Sequence, residues 1–175
     1  MLRFPIANLQ FYNLKSEIFN LKSHALPRPR HPGPRLHPPL DFRRECHALQ
    51  APGKNVLIAF FPLAFTSVCT KELCAFTDDY SQFQSADTVV LPISVDSVPT
   101  LKAYKAKEQI GVDLLSDFKR EVSRAYGTLL EDKFHSNRSY IVIDRKGIVR
   151  WAFAEESTGN RRENGELLEV LGKLE

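Results

Sequence analysis

Cysteine is scarce in this chain: Cys46, Cys69 and Cys74 are the only three in 175 residues. The number is odd, and the N-terminus has no secretory pattern. Met1 to Leu21 is interrupted by Pro5, Asn8, Gln10, Asn13, Lys15 and Glu17 and offers no small-residue cleavage site. A disulfide framework is therefore not expected, and the cysteines read as free thiols of a cytoplasmic protein. No apolar run approaches the roughly 20 residues of a membrane-spanning helix. A net charge of +3 is too small to point to a nucleic-acid partner. Metal ligands are lacking as well. Four of the five histidines (His24, His31, His37, His47) lie before residue 54, none with i, i+4 spacing on a credible helix. Cys69 and Cys74 have no nearby histidine to complete the four ligands of a structural zinc site. No metal and no cofactor is expected.

What is present is unevenly distributed. Residues 1–53 hold eight Lys/Arg against three acids and eight of the eleven prolines, whereas the remainder carries a net charge of −2. The run Pro27-Arg-Pro-Arg-His-Pro-Gly-Pro-Arg-Leu-His-Pro-Pro39 cannot be helical, because proline lacks the donor and restricts the residue before it. This Pro/Arg/His-rich leader reads as irregular or disordered chain. A short amphipathic piece, Leu9 to Leu21, is its one helical candidate, and an organellar transit peptide is the second reading of the leader.

From Lys54 onward the pattern alternates between β and α. Asn55–Phe61 is a continuous apolar run of strand length, followed by a helix over about Val68–Gln84 and a Val/Ile-rich strand at Thr88–Ser94. A helix over 98–108 follows, then a short extended piece at Leu114–Leu115 and a helical turn or two at Lys119–Tyr126. Arg138–Asp144 and Ile148–Ala154 read as strands joined by the hairpin signal Asp144-Arg-Lys-Gly147. Glu163–Leu174 closes as an amphipathic helix with Leu167, Leu168, Leu171 and Leu174 on one stripe. The order implies an α/β domain over 54–175 with a central mixed sheet flanked by helices. Trp151 is assigned to its core.

One stretch carries chemistry. The first strand runs into Pro62, a loop holding Thr66, and then Cys69 where helical sequence begins. A helix N-terminus stabilises anions and lowers the pKa of a cysteine placed there. A thiolate so placed is a nucleophile. Read alone, a free cysteine is more often a small buried hydrophobe, Thr66 a helix-capping hydroxyl and Pro62 a turn proline.

The spacing Pro62-x-x-x-Thr66-x-x-Cys69 resembles the active-site signature of the peroxiredoxins, thiol peroxidases of the thioredoxin-like fold. The segments Phe60-Phe-Pro-Leu-Ala-Phe-Thr66, Ile93-Ser-Val95, Leu115-Ser-Asp-Phe118, Ala125-Tyr-Gly127 and Asn137-Arg-x-Tyr-Ile-Val-Ile-Asp-Arg-x-Gly-Ile148 are similar to the AhpE-like branch. The resemblance covers about Lys54 to Glu175. It implies a peroxidase that reduces hydrogen peroxide and organic hydroperoxides through a cysteine sulfenic acid, in antioxidant defence and redox homeostasis. Cys69 would be the peroxidatic cysteine, Thr66 its hydroxyl partner, Pro62 the shielding proline and Arg138 the active-site arginine. Glu72 would help orient that arginine, or would simply be a favourable acid in a first helical turn. A thioredoxin-like or small-thiol reductant and a monomer or homodimer are further expectations.

Two features depart from the branch. The leader lacks the N-terminal hairpin usual in the family, with Pro39-Leu-Asp-Phe42 the nearest fragment. Cys69-x4-Cys74 resembles the PrxQ (bacterioferritin-comigratory) branch, in which the second cysteine resolves the sulfenic acid. Five residues of α-helix place the two Cα atoms about 8–9 Å apart, beyond the roughly 7 Å a disulfide tolerates, so resolution by Cys74 requires the helix between them to open. The alternative is that Cys74 packs as a small apolar residue while an external thiol resolves.

Overall fold

The computed structural model describes residues 53–174. The expectations for residues 1–52, among them the irregular leader, the Leu9–Leu21 helix and Cys46, lie outside the described residues. The elements are β1 (Asn55–Phe60), α1 (Ser67–Asp78), α2 (Tyr80–Ser85), β2 (Thr88–Ser94), α3 (Val98–Lys107) and β3 (Leu115–Ser116), followed by α4 (Glu121–Ala125), β4 (Leu129–Leu130), β5 (His135–Ser136), β6 (Ser139–Ile143), β7 (Val149–Ala154) and α5 (Asn164–Leu171).

Five strands form one sheet in the order β3-β2-β1-β6-β7. β1 pairs parallel with β2, and β2 with β3, while β1–β6 and β6–β7 are antiparallel. This mixed sheet with flanking helices is the thioredoxin-like α/β fold expected from the sequence. β1 reads as an unbroken apolar run because both of its faces are covered. Leu57, Ala59 and Phe61 join Leu73, Phe76, Leu101, Tyr104, Leu167 and Leu171 in one core cluster. Val56, Ile58 and Phe60 face the other, with Tyr126 and the α4 residues Val122 and Ala125. Trp151 is buried and stacks on Phe153. Among the described residues no helix is long and apolar enough to cross a membrane.

The topology brings distant residues to one edge. Phe61 N makes the last ladder bond to Ile93 O at 3.0 Å. Pro62 has no N–H to continue it, and the chain leaves the sheet there. Because β6 is antiparallel to β1, with Ser139 opposite Phe60, Arg138 lies level with the exit of β1. The carboxyl ends of the parallel strands, where ligands of open α/β sheets bind, thus receive both the Pro62–Thr66 loop and Arg138.

The single helix expected over 68–84 is two helices, broken at Asp79. The Asp79 carbonyl accepts from Gln82 and Phe83, and Asn164 at the start of α5 donates from Nδ2 to Ala75 O and Asp79 Oδ2, both at 2.8 Å. The break is fixed by a contact 85 residues away along the chain, which no local propensity reports. The extended piece falls at 115–116, one residue later than expected, and the hairpin β4–β5 has strands too short to show a period in the sequence. α5 ends at Leu171, and Leu174 packs against the core beyond its end.

Asn164→Ala should lower stability by about 1–3 kcal/mol, through the loss of two hydrogen bonds that tie α5 to the end of α1. The urea midpoint should fall with an unchanged denaturant slope.

Candidate active site

Cys69 is the third residue of α1 and is 1% exposed. The first turn, Ser67-Val68-Cys69-Thr70, contains no acid, so the positive end of the helix acts on the sulfur uncompensated. The loop before it is held from two sides. Ala64 N donates to Asp96 Oδ2 at 2.8 Å, and Asp96, just past β2, also accepts from Ser94 Oγ at 2.8 Å. Phe65 adopts a left-handed φ of 62°, a conformation costly for a non-glycine residue. Its ring packs on Tyr104, with centroids 4.8 Å apart. Pro62 is buried.

Arg138 enters from the start of β6 with no exposed surface. Its Nη2 donates to Cys69 Sγ at 3.3 Å and to Thr158 O at 3.0 Å, while Nη1 pairs with Glu72 Oε2. Glu72 follows Cys69 by three residues and so shares its helix face. The other Glu72 oxygen accepts the Tyr140 hydroxyl, which in turn accepts from Arg162 N at 3.0 Å. Burial pushes the Glu72 carboxyl above its ordinary range, against the pull of Arg138 and Tyr140. Burial also works against the Arg138 charge, but Glu72 and Cys69 outweigh it and the guanidinium pKa is raised. A permanently charged, planar donor therefore faces the thiol.

The remaining expected residues divide. The Thr66 backbone starts α1, with its carbonyl accepting from Thr70 N at 2.9 Å, but its side chain makes no capping bond. The hydroxyl donates to Leu63 O at 2.9 Å and is exposed, leaving its lone pairs free to accept. Cys74 is half-buried, five residues along an unbroken α1. Burial, with Asp78 and Glu108 nearby, raises its thiol pKa.

Tyr140, Thr158, Asp96 and Tyr104 surround the candidate site without a role assigned to them from the sequence. Tyr104 bonds Thr70 Oγ1 through its hydroxyl at 2.8 Å, tying α3 to α1, and burial pushes its pKa up to about 12. Of the four, Tyr140 was within reach of sequence reasoning, standing two residues after Arg138 on the same strand face.

The structure places the Cys69 thiol at a helix start with Arg138 on its sulfur, and the match to a family model decides the membership. Residues 43–152 match the AhpC/TSA family. The chain belongs to the AhpC/TSA family. Similar proteins include alkyl hydroperoxide reductase E of Mycobacterium tuberculosis, 44% identical over 101 residues that make up 57% of this chain and 66% of that protein. Human Peroxiredoxin-4 is 39% identical over 105 residues, 56% of this chain and 39% of that protein. The chain thus spans less than two thirds of the length of these relatives. Among solved structures, the reduced Plasmodium vivax 2-Cys peroxiredoxin superposes with a TM-score of 0.64 at 33% identity, covering 68% of this chain and 64% of that one. Mycobacterium tuberculosis AhpC gives 0.64 at 30% identity, covering 69% of each chain.

Within this family site, Glu72→Ala should destabilise the fold by about 3–5 kcal/mol, because it strands a buried guanidinium charge. Chemical denaturation followed by circular dichroism measures the loss.

Proposed function

We propose that this protein is a thiol-dependent peroxidase that reduces hydrogen peroxide and organic hydroperoxides, serving antioxidant defence and redox homeostasis. The observation that carries this reading is the Arg138 Nη2 donor 3.3 Å from Cys69 Sγ at the start of α1. In the reaction, the Cys69 thiolate attacks one peroxide oxygen and the O–O bond breaks. Sulfur becomes a sulfenic acid, and the other oxygen leaves as hydroxide or alkoxide and takes a proton. Charge moves from sulfur to the leaving oxygen, so a guanidinium already at the sulfur stabilises both ends of the transfer. Thr66, whose own proton is committed to Leu63 O, can accept the peroxide O–H. Pro62 offers no N–H and keeps water from the sulfur, which lets the charges interact at low dielectric.

The sulfenic acid then has to be reduced. We assign this step to an external thioredoxin-like or small thiol, which forms a mixed disulfide with loss of water and is released by a second thiol as a disulfide. Two observations favour this over resolution by Cys74. Glu72 lies between the two cysteines, so opening the helix would withdraw the buried partner of Arg138, and the raised Cys74 pKa leaves little thiolate to attack. This matches the AhpE-like branch, with the PrxQ-like spacing of Cys74 not used. Residues 54–175 form the catalytic domain of this reading, although the family match begins earlier, at residue 43. Free thiols at Cys69 and Cys74 suit a reducing cytoplasm, and the enzyme works as a monomer or homodimer.

Stopped-flow peroxide consumption tests the reading. Cys69→Ser should abolish it, and Arg138→Lys, which keeps the charge but loses the planar fork, should lower the second-order rate by roughly a hundredfold. Undiminished turnover in the Cys69 variant would refute the proposal. Mass spectrometry after one equivalent of peroxide should find a Cys69 sulfenic acid with Cys74 still alkylatable. A disulfide between residues 69 and 74 would reassign the resolving step to Cys74.

A further inference from the structure

Cys69 and Glu72 are one helical turn apart on α1, and Arg138 and Tyr140 are two residues apart where β6 begins, so each pair shares a face. The two pairs meet across the core. Arg138 reaches both Cys69 and Glu72, and Tyr140, wholly buried, reaches Glu72 alone. We propose that Tyr140 is a positioning residue for peroxide cleavage, holding the Glu72 carboxylate in the one orientation that points the Arg138 guanidinium at the Cys69 sulfur. The proposal rests on the peroxidase reading above.

The Tyr140 hydroxyl donates to Glu72 Oε1, because the carboxylate paired with Arg138 can only accept. Arg162 N–H can only donate, and it donates to the Tyr140 oxygen at 3.0 Å. The phenol proton is left for Glu72 Oε1. Burial and the Glu72 charge raise the Tyr140 pKa, so that proton stays in place throughout the working pH range. The effect on Glu72 follows from its torsional freedom. The terminal torsion of a glutamate is broad and nearly two-fold, so an ion pair through one oxygen does not fix the carboxylate plane. With Arg138 on Oε2 and Tyr140 on Oε1, both oxygens are held. Arg138 Nη1 is then fixed, Thr158 O takes one N–H of Nη2, and the other N–H of Nη2 is directed to sulfur. Thr158 and Arg162 both belong to the connection between β7 and α5. The backbone of that single loop therefore sets the guanidinium from one side and the phenol from the other.

The test compares two reactions of Cys69 in the full-length chain. Peroxide cleavage needs a donor at the leaving oxygen, whereas alkylation by iodoacetamide expels iodide without one. In Tyr140→Phe the second-order rate with hydrogen peroxide should fall about 10–100-fold, the effect of a small misplacement of a catalytic group, while Cys69 alkylation, read by mass spectrometry at a pH where the thiol is fully ionised, stays close to wild type. In a Glu72→Gln background the same substitution should add little, because its effect runs through Glu72. If the phenylalanine variant does not fold, Tyr140→Met, which also lacks the hydroxyl and fills the space with an adaptable chain, carries the comparison. Equal losses in both reactions, or an unchanged peroxide rate with only a lower melting temperature, would overturn the role of Tyr140 and leave the peroxidase standing. A wild type that consumes peroxide no faster than free cysteine removes both.

Discussion

A guanidinium with no exposed surface is the constraint around which the structure is arranged. Burying a charge is expensive unless it is paired and its remaining donors are satisfied. Arg138 meets that demand through its two terminal nitrogens, with Glu72 on α1, the Thr158 carbonyl after β7 and the Cys69 sulfur, while its Nε is buried without a hydrogen-bond partner. These partners lie 66, 20 and 69 residues away in the chain. Satisfying Arg138 therefore requires α1, β6 and the β7–α5 connection to be docked together. The candidate site is thus part of what holds the fold together, with the Cys69 thiol among the partners of the arginine.

The geometry around the sulfur divides between rigid and strained parts. The guanidinium, its carboxylate and the helix start are fixed by the core, while the approach to them is made by a loop whose Phe65 sits in a left-handed conformation. Strain of this kind persists only where neighbours over-determine it, and here the neighbours are Asp96, which holds the Ala64 amide, and Tyr104, which packs under the Phe65 ring. Electrostatic preorganisation requires donors that need not move when charge shifts. Arg138, held through both terminal nitrogens, satisfies that requirement, whereas the exposed Thr66 hydroxyl belongs to the adjustable side of the candidate site.

One helix carries both the proposed nucleophile and the counter-ion of the proposed catalytic arginine. Any reaction that unwinds the first turns of α1 withdraws Glu72 from Arg138 along with Cys69. The fold therefore sets a cost on forming a bond between Cys69 and Cys74, although their spacing along the chain invites it. Sequence spacing records which residues are near in the chain, while the energy of bringing them together depends on what else the intervening helix holds.

Much of this protein is legible in its amino-acid order alone. Backbone sterics and side-chain period act over a few residues, and so the buried strand β1, the helix beginning just before Cys69, the strand that Arg138 opens and the leucine stripe of α5 can be read directly. Pro62 marks the exit from the sheet because it cannot donate to the ladder. The pairing of Arg138 with Glu72 and Cys69 is reached only through the family resemblance. What local pattern does not supply is anything set by contacts across the sheet. The break at Asp79 depends on Asn164, the Thr66 hydroxyl donates to Leu63 rather than capping its helix, and Tyr140 meets Glu72 across 68 residues. Those outcomes follow from sheet register and from the need to satisfy buried polar groups, which exist only once the chain has closed on itself.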